Sequence, residues 1–450
     1  MKTVIIKNSW FNDSDLRLDA SYHLSDGPLT KLLLRNSPYE LTTLAAESER
    51  IFSGNIFKRS YVEGDKYGWP YLTGSDMVKA DIDSGKFISK KYTTQSDNLL
   101  IHKDWILISC SGTLGNCVFT NNDFEGRIGT HDLIRIIPNE RKLLRGYLYA
   151  YLSSKYGYGL LTQFSYGGVV KHIEPHHIQD LPIPILPTAK IQEIHDLIIE
   201  SANSRVKANR YLKDAQSLVV NAIKFKKRRV SCAVSFKTIS KSHQKRFEAQ
   251  YFTSIGYDIR EHIKSGKFKY LKDISKRIFR PGIFKRHYVK NGIEFLGGSD
   301  IVKNIPKSEK KLSIAQTKHL NEMKILENWI LVTCGGTIGH SVLVNKYLAG
   351  KTASQHILRV DSDTIKNGYL YAFMSSHLGL KAIQSFTYGS VIPQIEPHHL
   401  GLLPIPLLDE HIMDNAHELV MEYKKFISAA IEKELKAIDL VEKEIESWQI

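Results

Sequence analysis

The feature that most constrains the fold of this 450-residue chain is an internal repeat, because its two halves carry the same short motifs in the same order. The longest block aligns residues 105–136 with residues 329–360 without a gap, and the offset between matched motifs stays between 222 and 229 residues. Six ordered blocks at a nearly constant offset predict two copies of one structural unit. The other matched blocks are residues 17–22 with 246–251, 50–62 with 277–289, 74–76 with 298–300, 164–177 with 386–399, and 181–184 with 403–406.

The residue composition of each half changes after a Leu-Pro-Ile-Pro motif. Before the motif, short β-branched or aromatic runs alternate with turns rich in glycine, proline and asparagine, which is typical of an irregular β-rich domain with some helix. After it, residues 188–255 and everything beyond Pro406 contain neither glycine nor proline. Apolar residues recur there at helical spacing, so each half is predicted to end in a long amphipathic helix whose natural partner is the other helix.

The charge balance favours a polyanionic partner. Lysine and arginine number 62 against 47 aspartates and glutamates, a net charge of +15, which is most often associated with nucleic acid. The apolar content of 42% excludes a disordered chain. Four cysteines exclude a disulfide scaffold and favour the cytoplasm. No apolar run approaches a membrane span or a signal peptide, so we expect no membrane partner.

The sequence lacks catalytic and metal-binding patterns. There is no Pro-Asp nuclease signature and no Asn/Asp-Pro-Pro-aromatic motif for methylating an amine. Residues 350–352 resemble the end of a phosphate loop, but Asn345 replaces the expected first glycine. Cys110 and Cys117 have no second pair for zinc, and Cys110 and Cys334 are interpreted as small core residues.

The paired histidines after Glu-Pro have two interpretations. His176 with His177, and His398 with His399, are candidates for a metal site or for a short helical turn that proline opens. We favour the turn, because adjacent residues on a turn point in different directions. The Gly-Thr-x-Gly segments are likewise interpreted mainly as turns between strands.

Two recurring segments have the chemistry for DNA contact. The first is a glycine-led loop with two adjacent cations and an aromatic residue. Arginine can fork onto a guanine edge and lysine neutralises phosphate, whereas the alternative is a solvated surface pair. The second contains glycine next to residues that diverge between the halves, as reading of different sequences would require. The candidate residues are Lys58, Arg59, Tyr61, Lys285, Arg286 and Tyr288 in the first segment, and Tyr166, Lys171, His172, Tyr388 and Gln394 in the second. A basic run at residues 224–229 ends the first long helix and is explained equally well by the helix dipole or by phosphate contact.

The duplicated order of these motifs resembles the specificity (S) subunits of type I restriction–modification systems. The resemblance rests on the Arg-x-Asp/Glu-Ala-x-Tyr opening, the Gly-Thr-x-Gly turn, the glycine-containing loop before Leu-Pro-Ile-Pro and the long helix after it. It implies an α+β fold, a pseudo-twofold tandem repeat of two target recognition domains separated by two long antiparallel coiled-coil helices. The implied boundaries are 1–187 and 230–408 for the domains, and 188–229 and 409–450 for the helices.

The resemblance also implies a function. Such a subunit is not itself an enzyme, and it directs two methyltransferase (M) subunits and restriction/translocase (R) subunits to a bipartite site in double-stranded DNA. S-adenosylmethionine, ATP and magnesium would belong to those partners, with no cofactor in this chain. Differences at Lys171/Pro393 and His172/Gln394 predict two non-identical half-sites.

Three alternatives remain open from the sequence. The nearest is the specificity subunit of a two-component system whose single partner both cleaves and methylates DNA. A self-sufficient nucleic-acid enzyme is disfavoured by the missing motifs. The third alternative is a purely architectural protein that uses its helices to dimerise.

Overall fold

Two long α-helices form where the sequence has neither glycine nor proline. In the computed structural model, which describes residues 3, 5–6, 20–93, 96–163, 171–226, 233–241, 245–389 and 391–448, they span Thr188–Ile223 and Glu410–Ser447. The chain folds into two units, and the division falls inside both helices. Unit 1 comprises Met1–Val206 and Ala429–Ile450, and unit 2 comprises Lys207–Ser428.

Unit 1 is a mixed domain of short strands and helices, as the alternating sequence texture predicts. Its strands are β1 (Leu41–Thr43), β2 (Ser48–Ser53), β3 (Tyr61–Val62), β4 (Gly68–Leu72), β5 (Phe87–Ser89), β6 (Leu100–Ile101), β7 (Ile106–Ser109), β8 (Cys117–Phe119), β9 (Arg127–Gly129), β10 (Leu133–Pro138) and β11 (Pro182–Pro184). Its helices are α1 (Ala20–His23), α2 (Asp26–Arg35), α3 (Arg145–Ser153), α4 (Lys155–Gln163) and α5 (Pro175–Ile178), followed by the long helix α6 (Thr188–Ile223), and two 3₁₀ turns lie at Ser96–Asn98 and Asn122–Phe124.

Unit 2 repeats the main elements in the same order, with additional short helices and fewer strands among its described residues. Its helices are α7 (Phe236–Lys241), α8 (Ala249–Thr253), α9 (Ile255–Lys264), α10 (Leu271–Ile274), α11 (Gly298–Ile301), α12 (Leu320–Met323), α13 (Asn367–Ser375), α14 (His377–Gln384) and α15 (Pro397–Gly401), followed by the long helix α16 (Glu410–Ser447). Its strands are β12 (Phe268–Tyr270), β13 (Ser275–Phe279), β14 (Tyr288–Leu296), β15 (Lys311–Leu312), β16 (Ile330–Thr333), β17 (Ser341–Leu343), β18 (Thr352–Ala353), β19 (Ile357–Ser362) and β20 (Pro404–Pro406).

The central sheets of the two units have the same topology and the same register. The strand order is β2-β10-β7-β8 in unit 1 and β13-β19-β16-β17 in unit 2, all antiparallel. Ile134 pairs with Ile108 in unit 1, and its repeat partner Leu358 pairs with Val332 in unit 2. Because a slip by one residue would turn every side chain to the other face, equal register places equivalent side chains in equivalent environments.

A second sheet in each unit borders the predicted basic loop. Unit 1 has a five-stranded sheet of order β3-β5-β4-β9-β6, and unit 2 has a three-stranded sheet of order β15-β14-β18. Each contains one parallel pair, β4 with β9 and β14 with β18. The two-stranded ladders β1-β11 and β12-β20 bring each Leu-Pro-Ile-Pro motif back to the start of its domain.

Both long helices contribute to the core of unit 1. Ile191, Ile194 and Ile198 of α6, and Val441 and Ile445 of α16, are buried in the cluster that includes the central sheet and α3. Full burial of one such side chain stabilises a fold by about 1.5–3 kcal/mol. The apolar stripes that predict the helices are therefore the faces that hold them to the domain.

The helices pack antiparallel. In unit 1, Lys190 pairs with Glu444, and ten residues further along α6 Glu200 pairs with Lys433. In unit 2, Tyr211 stacks on Phe426 with ring centroids 5.6 Å apart. The predicted fold class, a duplicated mixed domain with two long antiparallel helices, is confirmed.

The first long helix is shorter than the sequence predicts. It was expected to continue to Arg229, but it ends at Ile223, and Lys224 adopts a left-handed φ of 52°. The His262 ring contacts the Ile223 carbonyl oxygen through Nε2 at 2.8 Å. The described part of the basic run, residues 224–226, therefore follows the helix, and residues 227–229 lie outside the described residues.

Candidate nucleic-acid interface

In unit 1 the first predicted binding segment is an exposed loop between β2 and β3, anchored by aromatic rings. Phe57 packs on the buried ring of Tyr71 at 6.4 Å between centroids, and Tyr61 lies edge-on to the same ring at 6.1 Å. Lys58 and Arg59 are exposed between these anchors. A loop fixed at both ends presents its cations with less loss of conformational entropy on binding.

The equivalent loop of unit 2 is built in the same way. Phe284 and Tyr288 both lie against Phe295, the repeat partner of Tyr71, at 6.2 and 6.3 Å between centroids. Lys285 and Arg286 are exposed between them. The basic segment that recurs in the sequence therefore forms the same kind of anchored loop in both units.

Among the described residues, the arginine of the unit 2 loop is held by two contacts, which the lysines of both loops lack. Arg59 lies beside the hydroxyl of Tyr71, where it opposes the rise in the Tyr71 pKa that burial causes. Arg286 lies over the Phe295 ring at 5.3 Å and donates from Nη2 to Gln355 Oε1 at 2.9 Å. Neither Lys58 nor Lys285 has an ion-pair partner among the residues that the structure describes. A fixed guanidinium suits a base edge, and a mobile ammonium suits phosphate.

The Gly-Thr-x-Gly segments form the predicted turns, between β7 and β8 and between β16 and β17. Gly112 and Gly336 both have φ of 73°, the left-handed region that favours glycine. A Cβ atom at Gly115 would lie 2.7 Å from Thr162 Cγ2, so this turn also packs closely on α4. The tips of both turns are exposed.

The second predicted segment of unit 1 adjoins this turn. Tyr166 lies outside the described residues. Lys171 is exposed, and His172 forms an isolated β-bridge with Ser111 at the start of the turn. The structure thus places Lys171 and His172 next to the turn.

In unit 2 the second segment is held by its own hydrogen bonds. Tyr388 and Gln394 exchange backbone hydrogen bonds of 3.0 and 2.8 Å, and Gln394 also bridges to Gly335. The Tyr388 hydroxyl donates to Glu396 Oε1 at 2.9 Å, which also accepts from Arg280 Nη2 at 2.7 Å. The Tyr388 hydroxyl is therefore engaged within unit 2, which leaves the half-buried Gln394 side chain as the better candidate for a base contact.

Sequence reasoning missed a pair of residues that lies between these loops. In unit 2, Gln355 accepts from Arg286, and the next residue, His356, lies 3.0 Å from a Cβ placed on Gly335 of the turn. The equivalent residues of unit 1 are His131 and Asp132, whose side chains are 3.5 Å apart. The available signal was the divergence of these two positions within a block that otherwise aligns without a gap.

The segments that were set aside as structural are internally satisfied. Lys351 of the phosphate-loop-like segment pairs with Glu294 at 3.0 Å and lies over the Tyr347 ring, and burial lowers the pKa of the lysine. Burial raises the pKa of the Cys110 thiol to about 12 and that of Cys334 to about 11. Both cysteines are core residues, as predicted.

The paired histidines form the predicted helical turns. The Glu174 N–H donates to His177 Nδ1 at 2.9 Å, and the Glu396 N–H donates to His399 Nδ1 at 3.2 Å, with proline at the first helical position in both. In the described parts of the chain, no three His, Cys, Asp or Glu residues are grouped to hold a metal ion. A helix long and apolar enough to cross a membrane is likewise not found among the described residues.

Both units present an exposed basic loop and an exposed glycine turn, which are features of a class of protein that contacts nucleic acid through two related domains. A family model described as "Type I restriction modification DNA specificity domain" matches residues 49–201 and again residues 266–412. The chain therefore belongs to the type I restriction–modification DNA specificity family and has the role of a DNA-specificity subunit.

Solved structures with full-length similarity have low identity to this chain. An S subunit of a type I system from M. genitalium is 11% identical, with 92% of this chain and 96% of that chain covered and a TM-score of 0.36. The HsdS subunit from Thermoanaerobacter tengcongensis is 14% identical, with 91% and 96% covered and a TM-score of 0.28. A chain from a study of complex assembly and conformational transition of the type I R-M system is 13% identical, with 92% and 98% covered and a TM-score of 0.29. No curated protein matches the chain.

Proposed function

We propose that each unit reads one half-site of a bipartite, asymmetric target in double-stranded DNA. The observation that carries this proposal is that the same basic loop occurs in both units, while the polar residues at the positions of Gln355 and His356 differ between the units. Arg286 bonds to Gln355, whereas the positions equivalent to Gln355 and His356 in unit 1 hold His131 and Asp132, whose side chains lie 3.5 Å apart. Equal scaffolds with unequal base-reading groups give related but non-identical half-sites.

We further propose that the chain has no catalytic activity of its own and acts in the cytoplasm with partner subunits. Two methyltransferase subunits would bind the two pseudo-equivalent halves, and restriction/translocase subunits would join them. S-adenosylmethionine, ATP and magnesium would then be bound by those partners. The absence of nuclease and methyltransferase motifs from the sequence supports this division of labour.

The target is tested by sequencing the methylome of a host with and without this gene. We expect one methylated motif that depends on the gene and consists of two specified blocks flanking an unspecified gap. A single short contiguous motif would contradict the bipartite proposal. Methyl transfer or DNA cleavage by the pure chain, without partners, would contradict the non-catalytic proposal.

The contact residues are tested with two double variants of the complex. Lys58→Ala with Arg59→Ala should weaken recognition of one half-site about tenfold or more, and Lys285→Ala with Arg286→Ala should weaken the other. Each lost phosphate contact should also lower the slope of log affinity against log salt by about 0.9.

A matched control exists in unit 1. Arg141 and Lys142 are also adjacent exposed cations, but they lie beyond the opposite end of β10 from the loops. Arg141→Ala with Lys142→Ala removes the same charge and should leave half-site preference unchanged. If the loop variants behave like this control, the loops are ordinary surface.

A further inference from the structure

The tips of the two basic loops carry unusually exposed apolar side chains. Ile56 is 84% exposed and Ile283, at the equivalent position of the repeat, is 93% exposed. Among the large apolar side chains of the described residues, only Ile5 and Val391 are comparably exposed, and Val391 lies on the second candidate segment of unit 2. A single exposed isoleucine is ordinary, but the same one at the tip of both loops requires an explanation.

The loop geometry determines this exposure. The residue after each isoleucine, Phe57 or Phe284, turns inward and packs on Tyr71 or Phe295. In each loop the phenylalanine is the side chain that turns inward, while the isoleucine before it and the two cations after it remain exposed. The aromatic anchor therefore fixes an apolar group beside the two cations that follow it.

The cations identify the surface that such a group would meet. Lysine and arginine bring the loop to the DNA backbone and to base edges, where most exposed groups are hydrogen-bond donors or acceptors. The thymine C5 methyl is the apolar group that base pairs present in the major groove. An isoleucine pressed against an amino or carbonyl edge would instead leave that polar group desolvated and unpaired, which is unfavourable.

We propose that Ile56 and Ile283 each contact the C5 methyl group of a thymine, so that each half-site contains a thymine whose methyl group is recognised. The proposal rests on the proposed function, because it assigns a specificity-determining residue to each DNA-reading loop. Sequence recognition would then use a hydrophobic contact as well as the charged residues of the loops.

The test replaces thymine by deoxyuridine, which removes only the methyl group and keeps base pairing. The target is first selected from random duplexes with the complex of this chain and its methyltransferase partner. Each thymine of the selected duplex is then changed singly and the Kd is measured. We expect one position in each half-site to lose about fourfold in affinity, which corresponds to the burial of one methyl-sized group at about 0.8 kcal/mol.

The coupling between isoleucine and methyl group is measured with a double-mutant cycle. Ile56→Ala should weaken binding and abolish the deoxyuridine effect at one position, and Ile283→Ala should do the same in the other half-site. Leu29→Ala in unit 1 and Leu326→Ala in unit 2 remove exposed apolar side chains outside the loops and should retain the full effect. Unchanged thermal unfolding would show that the isoleucine variants fold, as their exposure leads us to expect.

Several results would overturn the assignment. They are a half-site without thymine, isoleucine variants that bind as the wild type does, or a deoxyuridine effect that survives both variants. Weaker binding by the isoleucine variants without any effect of deoxyuridine would indicate an apolar wedge between base steps instead. If the wild-type complex selects no sequence at all, the proposed function itself fails, which is a distinguishable outcome.

Discussion

Two fully buried arginines, Arg135 and Arg359, occupy equivalent positions in β10 and β19. Each guanidinium donates to main-chain carbonyls: Arg135 reaches those of Leu133, Leu99, Gly129 and Thr130, and Arg359 reaches those of Ser354, Ile357, Met323 and Ala353. Desolvation lowers the pKa of both to about 10, so both remain charged at neutral pH. These arginines tie the central sheet to the segments beneath the basic loops.

Arg135 also explains the glycine that leads the basic loop of unit 1. A Cβ atom at Gly54 would lie 3.1 Å from Arg135 Nη1 and 2.8 Å from Leu99 Cδ2. The loop therefore approaches the buried guanidinium more closely than a larger residue would allow. The sequence shows the glycine but not the arginine that requires it, since the two are brought together only by the sheet.

At the same scale, unit 1 contains a buried polar cluster where the long helices meet the domain. Glu434 of α16 accepts from Arg205 of α6 at 2.5 Å and from the Tyr149 hydroxyl of α3. The side chains of Arg205 and Glu434 are 11% and 6% exposed. At the equivalent positions of the repeat, unit 2 has Ile427 and Leu212.

We predict that Glu434→Leu alone lowers the free energy of unfolding by about 3–5 kcal/mol, because it removes the carboxylate that pairs with the buried guanidinium of Arg205. Arg205→Ile combined with Glu434→Leu copies the apolar pair of unit 2 and should recover most of that loss. Urea unfolding followed by circular dichroism measures both. As a control, Lys433→Ala breaks an exposed pair with Glu200 and should cost less than about 1 kcal/mol. A double variant as unstable as Glu434→Leu would show that the charge pair is not the cause.

At the scale of elements, one histidine of each long helix accepts a hydrogen bond from its own domain, in addition to the apolar contacts of the helix. The Gly146 N–H donates to His195 Nδ1, and the equivalent Gly368 N–H donates to His417 Nδ1, both at 3.2 Å. Burial lowers the pKa of both histidines, helped by Arg145 near His195 and by Lys366 near His417. Nearby carboxylates, including Asp196 and Asp414, oppose the shift without reversing it.

We therefore predict that stability falls as the pH drops below about 6.5, the ordinary histidine pKa. Below that pH the unfolded chain binds protons that the folded histidines do not accept. The free energy of unfolding therefore rises with pH up to about 6.5, and the full contribution of the two histidines to stability is present above that pH. In His195→Asn with His417→Asn, the amide oxygen can accept from the same N–H without titrating, and part of this dependence should disappear.

The pH dependence is measured by urea unfolding at about pH 5.5 and about pH 7.5. His411 is exposed near the start of α16, so His411→Asn serves as the control and should keep the wild-type dependence. An equal loss of stability at low pH in the double variant and the wild type would contradict the role of the docking histidines.

The elements themselves were largely predictable from the sequence, because helix period, strand texture and duplication are local signals. The end of α6 was not, since no glycine or proline follows Ile223 before Gly256, and the residue that contacts its carbonyl, His262, is distant in sequence. The basic loops were found because they recur. Gln355 and His356 were missed because only the hydrogen bond between Arg286 and Gln355 shows that this segment lies next to the basic loop.

At the scale of the whole molecule, duplication gives one chain two related domains, and in the proposed function each of them reads a different half-site. The net charge of +15 attracts any DNA sequence and is screened by salt, so it supplies affinity without preference. In the proposed function, sequence preference comes from the loops and the polar pairs between them. The helices are common to both units, since each unit contains the start of one helix and the end of the other.

We expect the two long helices to set the length of the gap between the half-sites. The division between the units follows Val206 in α6 and Ser428 in α16. These two points lie opposite each other in the antiparallel pair of helices. Glu200 pairs with Lys433 on one side of them, and Tyr211 stacks on Phe426 on the other side. Four helical residues inserted at both points would therefore lengthen the pair and preserve these contacts.

Such a double insertion adds about 6 Å, slightly under two base pairs at about 3.4 Å each. It also rotates the following segment by about 40°, because four residues exceed one turn of 3.6. We predict a preferred gap wider by one or two base pairs, unchanged half-sites and a lower affinity, measured on duplexes whose gap varies by single base pairs. An insertion in α6 alone would slide one helix past the other, break the Glu200–Lys433 pair and reduce stability. If the double insertion keeps its helices by circular dichroism and still prefers the original gap, the helices are surfaces for partner subunits and do not measure distance along the DNA.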